Sequence, residues 1–249
     1  MPPIFGLITG CGKGIGLSII KKLLIETKDI KVLGISKTTN KNIEKIQKDF
    51  QSRFIFYERD ISDHQEMNKL LEHEQKKYMP FSFAICNAGV RSRQSIKKSN
   101  LNLYRSIIET NAISNINIAK QIIESNLEFN SKCNILFISS IVGARGFDEL
   151  STYAVSKSAL EGFMRSSAVE YGNKGIQINC LAPGFVESSY ADSFKKNNKE
   201  LYEWTISQTP MRRWGKCEEI ADLALFLISN KNSYMTGTVI YSDGGWTAK

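Results

Sequence analysis

Short runs of apolar and β-branched residues alternate along the chain with longer stretches in which apolar positions recur every three or four residues. The short runs, at 4–9, 31–36, 53–57, 81–86, 134–139, 176–180 and 238–241, read as seven strands. Between the first two, Ile15, Ile19 and Leu23 stand at i, i+4 and i+8 with Ile20 and Leu24 beside them, the stripe that one face of a helix would bury. Comparable helices are expected at about 40–51, 63–77, 100–111, 113–128, 152–171 and 218–229. The alternation predicts an α/β protein, a doubly wound, seven-stranded parallel sheet with helices on both faces. No linker or short-period repeat divides the chain, so residues 1–249 are expected to form a single domain. One segment fits neither period. Residues 186–210 are polar and lysine-rich yet carry Tyr190, Phe194, Tyr202 and Trp204, and such an insertion reads as a substrate lid.

With 42% hydrophobic and 23% charged residues, the 249-residue chain has the balance of a globular protein and is neither collagen-like nor disordered. No run approaches the ~18–20 apolar residues of a spanning helix, and the first ten residues lack the basic-then-apolar order of a secretory signal. The expectation is a cytoplasmic protein with no membrane partner. Five widely spaced cysteines, Cys11, Cys86, Cys133, Cys180 and Cys217, contain no Cys-x-x-Cys pair; they read as reduced, buried thiols and not as a disulfide framework or zinc site. The two histidines, His64 and His73, fall in a charged helical stretch, so no metal is expected and a Ser-His-Asp site is disfavoured. The net charge of +8 is scattered in isolated pairs such as Lys21-Lys22 and Arg212-Arg213, without the interleaved aromatics of a nucleic-acid surface, and no nucleic-acid partner is expected.

Chemistry enters directly after the first strand. The sequence Thr9-Gly10-Cys11-Gly12-Lys13-Gly14-Ile15-Gly16 opens the first helix, where glycines tighten the turn and free N–H groups can receive a pyrophosphate. A site for NAD places an acidic residue at the end of the second strand to bind the ribose 2′-hydroxyl. Here that place reads Gly34-Ile35-Ser36-Lys37. Lys13, Ser36 and Lys37 suit a 2′-phosphate instead, so NADP(H) is favoured, with NAD(H) possible.

A second constellation follows the fifth strand. Tyr153 and Lys157 stand at i and i+4 on one helical face, so an ammonium sits near a phenol and favours its ionised form, which would make Tyr153 a usable acid or base. Ser140, thirteen residues earlier at a strand end, can offer a hydroxyl to the same substrate oxygen.

Together with Asn87-Ala88-Gly89 after the fourth strand, Asn111, and Pro183-Gly184 after the sixth, these motifs resemble the short-chain dehydrogenase/reductase family, in the family's order and over essentially the whole chain. Within it the chain is most similar to 3-oxoacyl-acyl-carrier-protein reductases and gluconate 5-dehydrogenase-like enzymes. The resemblance implies a Rossmann-type dinucleotide site, with Gly10, Gly14 and Gly16 in the pyrophosphate turn and Asp60 at adenine; Thr9, Gly12, Lys13, Ile15, Ser36, Lys37 and Ile61 are the further cofactor-binding candidates. Asn87, Ala88 and Gly89 would border the cofactor, with Pro183, Gly184 and Val186 near the nicotinamide. It implies catalysis by Asn111, Ser140, Tyr153 and Lys157, with Lys157 and Tyr153 also touching the cofactor and Asn111 holding a proton-relay water. Cys86 departs from the family's Asn-Asn-Ala-Gly, at a position that varies.

The expected reaction is reduction of a ketone to a secondary alcohol, or the reverse, by hydride transfer with Tyr153 as acid/base. The substrate would be a 3-oxoacyl thioester, a keto sugar acid or another small carbonyl compound. Arg91, Arg93, Arg145 and Tyr190 are candidates to line its site, guanidinium groups suiting a carboxylate or phosphate. The alternative, a catalytically silent nucleotide-binding regulator, is disfavoured because Asn111, Ser140, Tyr153 and Lys157 are all present. The resemblance also implies a homo-oligomer, a dimer or tetramer.

Overall fold

Seven strands, β1 (Ile4–Thr9), β2 (Ile30–Ser36), β3 (Phe54–Glu58), β4 (Phe83–Cys86), β5 (Cys133–Ile138), β6 (Ile176–Pro183) and β9 (Val239–Ser242), form one parallel sheet in the order β3-β2-β1-β4-β5-β6-β9. The computed structural model describes residues 4–78, 80–188 and 191–248. Each expected strand is present, with ends displaced by at most three residues. Leu7 pairs with Leu33 on one side and with Ala84 on the other. From β1 the chain winds outward to β3, then returns to β4 and winds the other way. The chain after β1 and after β4 therefore turns to opposite faces of the sheet, which opens a crevice at its carboxyl end.

Alternation along each strand feeds two cores. Phe5, Leu7, Leu33, Ile135, Phe137 and Ile178 point to one face, against Met67 and Leu71 of α3 (His64–Tyr78), Ile118 and Ile122 of α5 (Ser114–Glu128), and Leu160 and Met164 of α6 (Ser151–Tyr171). Ile8, Val32, Ile85, Leu136 and Leu181 point to the other, against Ile19, Ile20 and Leu23 of α1 (Gly14–Glu26) and Ala221, Ala224 and Leu227 of α9 (Cys217–Ile228). α2 (Lys41–Asp49) adds Ile43 and Ile46 to this second core. Truncating a fully buried Phe137 would cost about 3–5 kcal/mol. All five cysteines are free and buried.

Two stretches differ from the sequence reading. The expected break between helices near residue 112 is absent: α4 (Leu101–Ile108) runs through one π turn (Glu109–Ile113) into α5. The polar segment 186–210 holds a short strand, β7 (Val186–Glu187), and two helices, α7 (Ala191–Asn197) and α8 (Lys199–Gln208). β7 pairs with β8 (Gly215–Lys216). Phe194, Leu201, Tyr202 and Ile206 close on Trp214 and Phe185 in a satellite core, while Lys196 and Lys199 stay exposed. Seven- and ten-residue helices carry too few apolar positions for a period to stand out. Tyr190 lies outside the described residues. Among the described residues, no helix is long and apolar enough to cross a membrane.

Candidate active site

The crevice begins at the turn after β1. Gly10 and Gly14 take left-handed conformations, φ +65° and +56°, which glycine alone adopts without strain. A Cβ on Gly10 would lie 2.7 Å from the Ala88 Cα, and one on Gly16 would meet the Gly10 carbonyl and lie 2.6 Å from Asn87 Nδ2. The glycines thus let the loops after β1 and β4 touch. Asn87 Nδ2 donates to the carbonyls of Thr9 and Gly10 at 3.1 and 2.9 Å. Thr9 Oγ1 receives the backbone N–H groups of Asn87 and Ala88 at 3.1 and 3.0 Å. No side chain caps the start of α1, and no acid stands in its first turn, so its N–H groups and dipole are left for an anion.

Across the turn, a Cβ on Gly12 would be 2.9 Å from Ser36 Oγ. Asn40 Nδ2 donates to the Gly12 carbonyl at 2.8 Å, while its Oδ1 caps α2 through Asn42 N and Ile43 N. Asn40 was not among the expected residues; an asparagine opening a helix was the signal for it. Lys37 Nζ lies 2.7 Å from Asp60 Oδ2. That ammonium, with the Ser62 N–H, holds the Asp60 carboxyl below its ordinary range. Two residues expected to meet opposite ends of an adenosine are therefore paired with each other. Lys13 is exposed, and Ile61 is buried.

The second cluster stands where β4, β5, α6 and the π turn meet. Lys157 is 3% exposed and donates to the Ile138 carbonyl at 2.6 Å. Its Nζ is 5.5 Å from the centre of the Tyr153 ring. Asn111, in the π turn, accepts the Val90 N–H at 2.7 Å and donates to the Val90 carbonyl at 2.8 Å and Ser156 Oγ at 3.0 Å. Ser156 in turn donates to the Tyr153 carbonyl at 2.7 Å. Gly89 closes the group, since a Cβ there would lie 3.2 Å from Asn111 Oδ1 and 3.8 Å from Lys157 Nζ. Ser140 follows β5 and receives the Val142 N–H at 3.3 Å, and Tyr153 packs on the Ile141, Val142 and Leu150 cluster beside it.

Asn115, which no motif flagged, ties the two clusters together. Its Nδ2 contacts the carbonyls of Ala88, Thr110 and Asn111 at 3.0, 3.2 and 3.0 Å, and its Oδ1 lies 3.4 Å from Thr9 Oγ1. Side-chain bonding to these helical carbonyls accompanies the π turn that carries Asn111.

The three candidate arginines separate. Arg91 Cζ lies 5.9 Å from the centre of the Tyr153 ring. Arg93 turns to the Asp148 carbonyl at 3.4 Å and the Glu149 carboxylate at 3.7 Å, and Arg145 donates to the Thr247 carbonyl at 2.9 Å. Pro183 ends β6; a Cβ on Gly184 would lie 2.8 Å from Asp243 Cα, and Val186 pairs with Gly215.

A family profile described as enoyl-(acyl carrier protein) reductase matches residues 10–247. The 3-oxoacyl-[acyl-carrier-protein] reductase FabG of Chlamydia muridarum is 32% identical over 240 residues, 96% of this chain and 95% of that one. Among solved structures, ElxO with NADP bound superposes with a TM-score of 0.90 at 26% identity, covering 99% of this chain and 100% of its own. A 4-hydroxyisoleucine dehydrogenase complexed with NADH gives 0.92 at 24% identity, over 99% of both chains; at that identity the likeness speaks for the fold.

Proposed function

The chain belongs to the short-chain dehydrogenase/reductase family of oxidoreductases, and from that premise we propose that it reduces a ketone to a secondary alcohol, or runs the reverse, with NADP(H) as its preferred partner in hydride transfer. The observation that carries this reading is the meeting of Asn111 and Lys157 at Gly89, with the Tyr153 ring beside Lys157, at the carboxyl end of the sheet. The turn after β1 suits a dinucleotide, because Gly10 and Gly14 take left-handed conformations there and the uncapped start of α1, with no acid in its first turn, awaits an anion. Lys13, Ser36 and Lys37 border the place of a ribose 2′-phosphate and favour NADP(H) over NAD(H).

When bound, the nicotinamide supplies the hydride. The chain's residues do the rest. Ser140 holds the substrate oxygen by a hydrogen bond while Tyr153 gives its phenolic proton to the developing alkoxide. Lys157, anchored on the Ile138 carbonyl, holds its side chain beside the Tyr153 ring, close to where negative charge gathers as the proton leaves. Asn111 fixes the helix face that carries Tyr153 through Ser156. The segment 186–210 serves as the lid over the substrate.

For the substrate we infer a 3-oxoacyl thioester or a keto sugar acid. Similarity to an acyl-carrier-protein reductase supports the first; Arg91 against Tyr153 supports a substrate with an anionic group. Initial rates of NADPH and NADH oxidation with an acetoacetyl thioester and with 5-ketogluconate test both parts. NADPH is expected to outperform NADH with at least one of them, and a preference for NADH would overturn the cofactor assignment.

A further inference from the structure

Tyr153, Lys157, Glu161 and Arg165 follow one another at four-residue steps along α6, so all four share one face of the helix. The third of them is a carboxylate only 5% exposed. Glu161 Oε1 accepts the hydroxyl of Ser139 at 2.7 Å, and its other oxygen is 3.8 Å from Arg165 Nη1, on a side chain 57% exposed. Ser139 stands between Ile138, whose carbonyl takes the Lys157 ammonium, and Ser140. Two side chains one helical turn apart thus clasp the end of β5 to α6. The turn after Ser140 is shaped to admit the carboxylate: a Cβ on Gly143 would lie 2.5 Å from Glu161 Oε1, and Ser158 Oγ donates to the Gly143 carbonyl at 2.8 Å.

A buried carboxylate is costly unless a charge or several donors compensate it. Arg165 is largely in water, so the Ser139 hydroxyl at 2.7 Å is the close buried donor to this carboxylate. From other elements the carboxylate faces Cys180 on β6 and Tyr241 on β9. Burial pushes both of these up, and the Glu161 charge adds to it. Lys157 and Arg165 act the other way on Cys180, while Cys86 adds to the rise. Tyr241 also feels Arg145, Arg165 and Asp243. Tyr153 faces Lys157 and Arg91.

We propose that Glu161 is a positioning residue for the reaction: through the Ser139 hydroxyl it fixes the strand end that carries Ser140, an assignment that rests on Ser140 and Tyr153 acting as the proposed function has them. Glu161→Gln keeps an acceptor for the Ser139 hydroxyl and removes the charge.

The test separates turnover from cofactor affinity and reads the strand end directly. Ser139→Ala and Glu161→Leu each remove the tether, and each should lower kcat several-fold and speed amide exchange in residues 139–143 with NADPH affinity unchanged. Glu161→Gln keeps an acceptor for the hydroxyl and should recover most of both. Ser139→Ala carries the test alone if Glu161→Leu does not fold, and wild-type exchange and kcat in Ser139→Ala would overturn the inference. If Tyr153→Phe still turns over substrate, the proposed function fails, and this inference falls with it.

Discussion

Lys157 is only 3% exposed, a burial its amine tolerates only where protein groups replace water around it. The Ile138 carbonyl is one such group, at 2.6 Å. Lys157→Met is therefore expected to abolish turnover and to weaken NADPH binding at least about tenfold, read by fluorescence titration; wild-type NADPH affinity would contradict a role for the ammonium at the cofactor. The cysteines make the opposite case. Burial pushes the thiols of Cys11 and Cys86 up to about 12 and that of Cys217 to about 11, so at neutral pH they stay protonated and shielded. Folded protein should react with a disulfide reagent only as fast as it unfolds, and rapid labelling of any one cysteine in native buffer would contradict this. Tyr153, Lys157 and Ser140 could be singled out as candidates from the sequence because their spacing is local or follows a strand end, and Asn111 only through the family resemblance. Glu161 and Asn115 could not, because their partners lie 22 and up to 106 residues away and no period links them.

At the scale of elements, the glycine turn and α6 invite opposite results from one kind of substitution. Gly16→Ala drives a methyl against the Gly10 carbonyl and Asn87, so the loops after β1 and β4 must separate; NADPH binding should weaken about tenfold or more, with a lowered melting temperature. In Gly162→Ala the new methyl meets nothing within 4 Å inside a helix, and stability should rise by about 0.5–1 kcal/mol in denaturant unfolding. Equal effects of the two would refute the close approach at the crevice. The start of α9 is held by charge: Arg213 and the Lys216 N–H bind Glu219 at 2.6–2.7 Å and draw its carboxyl down to about 2. A depressed carboxylate stabilises the fold above its unfolded-state range, near pH 4, and that contribution is lost as pH falls through about 2. The pair is partly exposed, so screening keeps the effect below about 1 kcal/mol. Glu219→Gln should lower the melting temperature slightly at pH 7 and make no difference at pH 2.

For the whole molecule, the alternation of strands and helices was enough to read the sheet, because strands buried on both faces are dense in apolar residues and end in turns. It was not enough for residues 186–210, where two short helices hide their few apolar positions among lysines, nor for the π turn, which is accompanied by side-chain bonds from Asn115 that no period announces. The winding of the chain matters most for function. It brings the glycine turn after β1, the Asn87 loop after β4 and the serine end of β5 to one edge, where α6 presents Tyr153 and Lys157. The central claim, that Tyr153 supplies the proton in a reduction that needs a bound nicotinamide dinucleotide, is tested most directly by measuring NADPH affinity and NADPH oxidation side by side in the wild type and Tyr153→Phe, with the acetoacetyl thioester and 5-ketogluconate. The expected result is nearly unchanged affinity and abolished turnover in the variant. Substantial turnover in Tyr153→Phe would contradict it.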